Sequence, residues 1–112
     1  MKFLSQLLPA LALCVGAIAA PALAGDTDPL YVNLTSDDSH RADVAITFGG
    51  NQHERGLPLT IFLNDKGVLI GSKSNSSKFA EHQKALSDLM SDGATVLICP
   101  MCMKHYGVAP CA

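Results

Sequence analysis

The chain has no tryptophan, and only two tyrosines and four phenylalanines in 112 residues. An aromatic platform for stacking bases is therefore not expected. Basic residues are also sparse: 8 Lys and Arg face 10 Asp and Glu, for a net charge of −2. They form no run, so neither nucleic acid nor an anionic membrane surface is an expected partner. The apolar stretch Leu7 to Ala20 is shorter than the about 20 residues a bilayer-spanning helix needs. No phosphate-binding glycine loop, serine nucleophile elbow or paired-carboxylate motif occurs.

What is present begins with an export signal. Lys2 is the only charge before Asp26, an apolar stretch follows it, and Ala22-Leu23-Ala24 offers small residues where a signal peptidase cuts. Residues 1–24 are expected to be a cleaved leader, with residues 25–112 as one domain in the periplasm and no membrane attachment after cleavage. Cys14 would leave with the leader; bulky Leu13 before it argues against a lipid-attachment site. Removing 24 of the 112 residues leaves 88, and losing Lys2 leaves 7 basic against 10 acidic residues, a net charge of −3. A domain this small buries only around 60–65% of its unfolded surface and is marginal as a monomer.

The pattern of apolar runs and breakers predicts β-α-β-α-β. Leu30–Leu34 is a first strand. Ser36, Asp37, Asp38 and Ser39 offer helix caps before a helix over His40–Glu54, whose Ala42, Ala45, Ile46 and Gly49 share one face. Leu59–Leu63 is a second strand, apolar at nearly every position, as for a parallel strand covered on both faces. Asn64–Gly67 is a turn, and Val68–Ile70 is a short extension or a buried loop. Lys78–Asp92 is a second helix with Phe79, Leu86, Leu89 and Met90 inward, closed by Gly93. Thr95–Ile98 is the third strand. Such alternation means a parallel sheet with helical crossovers, whose reactive groups gather where the strands end. The Thr35–Ser39 loop and the residue after Ile98 should share that rim.

The third strand runs into Cys99-Pro100-Met101-Cys102, opening a helix. A helix start favours thiolate over thiol, and thiolate is the reactive form. With Cys111, residues 25–112 hold three cysteines, an odd count for an oxidising compartment. From the residues, three readings stay open for the C-x-x-C: a reactive pair, a structural disulfide, or a metal site. Cys99, Met101, Cys102, Met103 and His105 concentrate soft ligands, which suit copper or zinc, with Cys99, Cys102 and His105 as the metal set. Two cysteines and one histidine fall short of a closed four-ligand zinc site unless Cys111 or another subunit joins. Positive charge on Lys104 or His105 would lower a nearby thiol's pKa, although both also read as ordinary solvated helix residues, the expected role for Lys104. His40 lies near the rim, where a proton donor or orienter would stand, and His53 and His82 lie on helices; for all three a surface or packing role is the expected one.

Three segments together resemble one family: Leu30–Ser36, then Pro58–Val68 with its Phe62-Leu63-Asn64-x-x-Gly67-Val68, then Ile98–Val108 with its C-x-x-C-x-x-x-x-G. The chain resembles the DsrE/DsrF-like sulfur-relay family over essentially all of residues 25–112. The resemblance implies a flavodoxin-like three-layer α/β fold, here incomplete with about three strands, and assembly into homo-oligomers. In cytoplasmic relay members a cysteine just after the third strand carries a persulfide sulfur between proteins; the residue here is Cys99. The family pattern continues beyond the glycine matching Gly107, so a shortened or non-functional copy is one expectation. The leading expectation is an exported sulfur carrier or thiol-redox protein. Cys99 is its carrying thiol and Cys102 its partner, sulfur-donor and sulfur-acceptor proteins are its partners, and it has no cofactor. Thioredoxin-type folds also place C-P-x-C at a helix start, but early in the domain, and only ten residues follow Cys102.

Overall fold

The computed structural model describes residues 21, 23 and 25–111, so the segment expected to be a leader, with Cys14, lies almost wholly outside the described residues. Three parallel strands form one sheet: β1 (Leu30–Leu34), β2 (Leu59–Leu63) and β3 (Thr95–Ile98), in the order β1-β2-β3. Helix α1 (Ser39–Glu54) joins β1 to β2, α2 (Ala80–Ser91) precedes β3, and a short α3 (Pro100–Tyr106) follows it. The arrangement is α/β and consistent with an incomplete flavodoxin-like fold. Within the described residues no helix is long and apolar enough to cross a membrane.

Each strand begins and ends where the apolar runs predict. Registered pairs Val32–Ile61 and Ile61–Val96 run across the middle of the sheet. Asp38 is the cap of α1, its Oδ1 accepting the Arg41 N–H at 2.9 Å. The small face of α1 lets it press on the sheet: a Cβ at Gly49 would meet Leu59 Cδ1 at 3.2 Å and Val32 Cγ2 at 3.6 Å. This close approach explains a glycine in mid-helix, which otherwise costs about 1 kcal/mol relative to alanine.

Crossovers of one hand that step in the same direction lay their helices on one face of a sheet. Accordingly α1 and α2 touch each other and cover the face carrying Leu34, Leu59, Ile61 and Leu63, where Ala42, Ile46, Ile70, Phe79 and Leu86 complete the core. Coverage of β2 on both faces is thus corrected. Thr60 and Phe62 point the other way and are half-buried, beside Tyr31 at 57% and Leu97 at 47% exposure. An apolar run shows that side chains avoid water but does not say which element covers them.

Val68–Ile70 is the buried connection rather than a strand extension. Asp65–Leu69 forms a 3₁₀ turn that drives Val68 and Ile70 fully into the core. Gln83 on α2 donates to the carbonyls of Ile70 and Ser72 at 2.9 and 3.0 Å, satisfying a segment that leaves the sheet. The chain after α3 returns along it: Lys73 N–H donates to the Ala109 carbonyl and Cys111 N–H to that of Gly71.

Candidate functional site

The ends of β2 and β3 are neighbours because the strands are parallel and paired to their last residues. Past β3, the Cys99 N–H extends the ladder by donating to the Leu63 carbonyl at 2.9 Å. Cys99 then caps α3: its backbone is extended and its Sγ accepts the Cys102 N–H at 3.2 Å. Pro100 follows at the first helical position, where its missing N–H costs nothing. Past β2, Asn64 N–H donates to the Leu34 carbonyl at 3.0 Å, and Asn64 Nδ2 to Asn33 Oδ1 at 2.6 Å. The chain then turns through Asp65, which adopts φ +47°. In this pose the Asp65 N–H donates to Cys102 Sγ at 3.2 Å. Tyr106, one turn beyond Cys102 on α3, donates its hydroxyl to Asp65 Oδ1 at 2.6 Å.

The two sulfurs are therefore unequal. Cys99 and Cys102 are free, half-buried thiols, and Cys111 is free and exposed. The Cys102 thiol donating to its sulfur holds Cys99 below the ordinary thiol range; the N–H groups of Cys102 and Met101 add to this, and partial burial opposes it. The same pairing with Cys99 pushes Cys102 up, helped by partial burial and the negative charge of Asp65, while the Asp65 N–H pulls it down. The hydrogen bond to Asp65 likewise raises Tyr106. Cys99 is thus the more acidic thiol of the pair and Cys102 the less acidic one.

The model of the DsrE/DsrF-like family matches residues 30–110, from the start of β1 to the strand-like segment behind α3. This chain belongs to the DsrE/DsrF-like family. Membership suggests a sulfur-relay or related role for this DsrE-like chain, and the matched span includes Cys99, Cys102, Asp65 and Tyr106. No curated protein and no solved structure matches the chain.

Several expected site residues lie elsewhere in this DsrE-like fold. His105 packs edge-on against Tyr106, with ring centroids 4.8 Å apart, and lines a shallow cleft of 230 Å³ with Asp65, Met101, Cys102 and Tyr106. It does not join Cys99 and Cys102 as a ligand set: among the described residues, no three His, Cys, Asp or Glu are grouped to hold a metal ion. The reason is helical rise. Six residues separate Cys99 from His105, about 9 Å along the axis, whereas two ligands of one zinc ion lie about 4 Å apart. The residues present do not fit zinc. Neither Lys104 nor His105 is the source of the Cys99 acidity, which comes from Cys102 and backbone amides.

His40 lies with Asp43, Val44, Thr47, Phe48 and Asn51 along the outer side of α1, not beside the cysteines. His82 is buried, bonded through Nε2 to Asp43 Oδ1 at 2.9 Å and to the Ser39 carbonyl at 3.1 Å. His53 ties the C-terminal ends of both long helices to the loop before β2, through the Asp92 and Leu57 carbonyls. The expectation of a shared rim is met at Asp37, whose charge reaches Tyr106 from the loop after β1. Asp65 and Tyr106 escaped the sequence reading. The available signals were a polar turn at the end of β2, which parallel pairing sets beside the end of β3, and a tyrosine four residues beyond Cys102.

Proposed function

We propose that this protein is a sulfur carrier or thiol-redox protein in which Cys99 bears the transferred sulfur and Cys102 resolves it. The observation that carries the reading is the asymmetry of the pair. The neighbouring Cys102 thiol lowers the pKa of Cys99 toward thiolate, and Cys99 accepts a hydrogen bond from the Cys102 amide, at a half-buried position. In the loading step the Cys99 thiolate attacks the outer sulfur of a donor persulfide. A Cys99–sulfur bond forms, the donor's S–S bond breaks, and the donor leaves as thiolate. In the release step an acceptor thiolate takes the outer sulfur and restores Cys99. Alternatively Cys102, as thiolate, attacks Cys99 Sγ: the disulfide forms, hydrosulfide leaves, and the Cys102 proton passes to solvent. That second route oxidises two thiols while reducing one sulfane sulfur.

Export, donor and acceptor proteins as partners, and homo-oligomeric assembly complete the proposal. The leader pattern of residues 1–24 supports export, and Tyr31 and Leu97 on the open sheet face support assembly. The test is mass spectrometry after incubation with a persulfide donor. The expected result is one added sulfur atom on Cys99, none in Cys99→Ser, and accumulation of the loaded form in Cys102→Ser. Equal loading of the unmodified protein and Cys99→Ser overturns the reading.

A further inference from the structure

We propose that Asp65 and Tyr106 are positioning residues that set the moment at which Cys102 changes from hydrogen-bond donor to attacking thiolate. The inference rests on the reading of Cys102 as the resolving thiol. Asp65 is the only residue other than glycine with positive φ among the described residues. Aspartate tolerates the left-handed region better than most residues, but single residues held there mark a conformation fixed by their surroundings. Three contacts fix this one. Asn64 is bonded to Asn33 and Leu34 on one side. The backbone at Gly67 lies so close to the Leu34 carbonyl that a Cβ would overlap its oxygen. Tyr106 holds the Asp65 carboxylate from α3. The outcome is one N–H aimed at Cys102 Sγ from a different element of the fold.

Asp65 acts on that sulfur in two opposed ways. Its amide donates to the sulfur and favours negative charge there. Its carboxylate is negative and disfavours it. Tyr106 takes the carboxylate into a short hydrogen bond and turns part of its charge away from the sulfur. The other groups facing Cys102 are Cys99 at the end of β3 and His105 on α3, with Asp37 reaching Tyr106 from the loop after β1. When Cys99 carries an added sulfur, its thiolate no longer holds the Cys102 proton. The amide of Asp65 then remains to stabilise the thiolate that attacks Cys99 Sγ and expels hydrosulfide.

The experiment measures the alkylation rate of each cysteine against pH in the full chain, resolved by peptide mass, for three variants. Asp65→Asn keeps the amide and an acceptor for Tyr106 but removes the charge, so the Cys102 midpoint should fall by about half a pH unit or more. Asp65→Gly keeps the left-handed backbone and also removes the charge, and should move the midpoint the same way. Tyr106→Phe keeps the ring but frees the carboxylate, so the midpoint should rise by about half a pH unit or more. A role confined to holding the fold would move the Asp65 and Tyr106 variants in the same direction or not at all, and either result overturns the inference. Failure of Cys99 to gain sulfur in the unmodified protein would instead remove the sulfur-carrier reading, while the midpoints still report on Asp65 and Tyr106.

Discussion

Gly67→Ala is the most severe single-atom change the site's scaffold offers. A Cβ there would overlap the Leu34 carbonyl oxygen and lie 2.8 Å from its carbon, inside the 3.0 Å that real Cβ atoms essentially never enter. Both obstacles are backbone, so no side-chain rotation relieves the clash. The turn must retreat from the end of β1. Retreat strains the Asn64 bond to the Leu34 carbonyl and the Gly67 bond to the Asn64 carbonyl. It also drags on Val68 and Ile70, which have no accessible surface to yield. Overpacking of this kind costs about 1–3 kcal/mol, and each weakened hydrogen bond adds about 1 kcal/mol. A total of about 3 kcal/mol is a large share of the about 5–15 kcal/mol that holds a small domain together. At about 4–8 °C of melting temperature per kcal/mol, the midpoint should drop by about 12 °C or more. Gly56→Ala is the control: its φ of +100° strains alanine, but nothing lies within 4 Å of the new atom, and strain alone costs about 1–2 kcal/mol. Thermal unfolding followed by circular dichroism measures both. A Gly67→Ala midpoint within about 5 °C of the unmodified protein would refute the argument, since it would mean the turn moves freely.

Two further outcomes concern the fold. Both ring nitrogens of His53 face carbonyl oxygens at 3.0 Å, so only the imidazolium donates to both. The Asp92 carbonyl, then that of Leu57, raise His53 above its ordinary 6.5, with the Asp92 carboxylate 3.5 Å away adding to this and burial opposing it. A raised folded value means the stabilisation is complete below pH 6.5 and is lost as pH climbs through that raised value. The melting temperature should therefore decline from pH 6 to pH 8 more steeply than in His53→Gln; parallel profiles would show that His53 is not the titrating tie. On the sheet, Ile61→Ala on the covered face should cost about 2–5 kcal/mol, whereas Leu97→Ala on the open face should stay near about 0.5 kcal/mol. Denaturant titration separates them, and comparable losses would mean that the open face is packed in solution.

The strands were legible because each is a short apolar run bracketed by turn formers, and the register of three such runs leaves little freedom. Helix α1 was legible down to its face, since Ala42, Ile46 and Gly49 repeat at helical spacing and are buried. The bounds of α2 came out narrower because Phe79, buried at 1% exposure, packs from the turn before the helix rather than from within it. Cys99 and Cys102 were legible as a pair because the motif is local. Asp65 and Tyr106 were not, because their meeting depends on which strand ends are adjacent. A turn aspartate and a helix tyrosine have ordinary solvated roles in most sequences. The metal set with His105 failed for the opposite reason: spacing along a chain counts residues, whereas ligation counts ångströms, and helix separates the first from the last.

The two cysteines set each other apart first, one lowered and the other raised by their pairing. Groups with no special chemistry then adjust each of them. Cys99 receives amides from the first turn of α3, which exist wherever a helix starts. Cys102 receives its amide from the turn after β2, which exists only because β2 and β3 lie side by side and Gly67 lets that turn settle against β1. The first contact is local and would survive in a peptide long enough to form the helix. The second is tertiary and disappears with the sheet. The acidity of the two thiols is therefore set by the motif together with the three-stranded sheet that brings Asp65 to it. For that reason, a change at Gly67 or Asn64, remote from either sulfur in sequence, reaches Cys102 through the Asp65 amide.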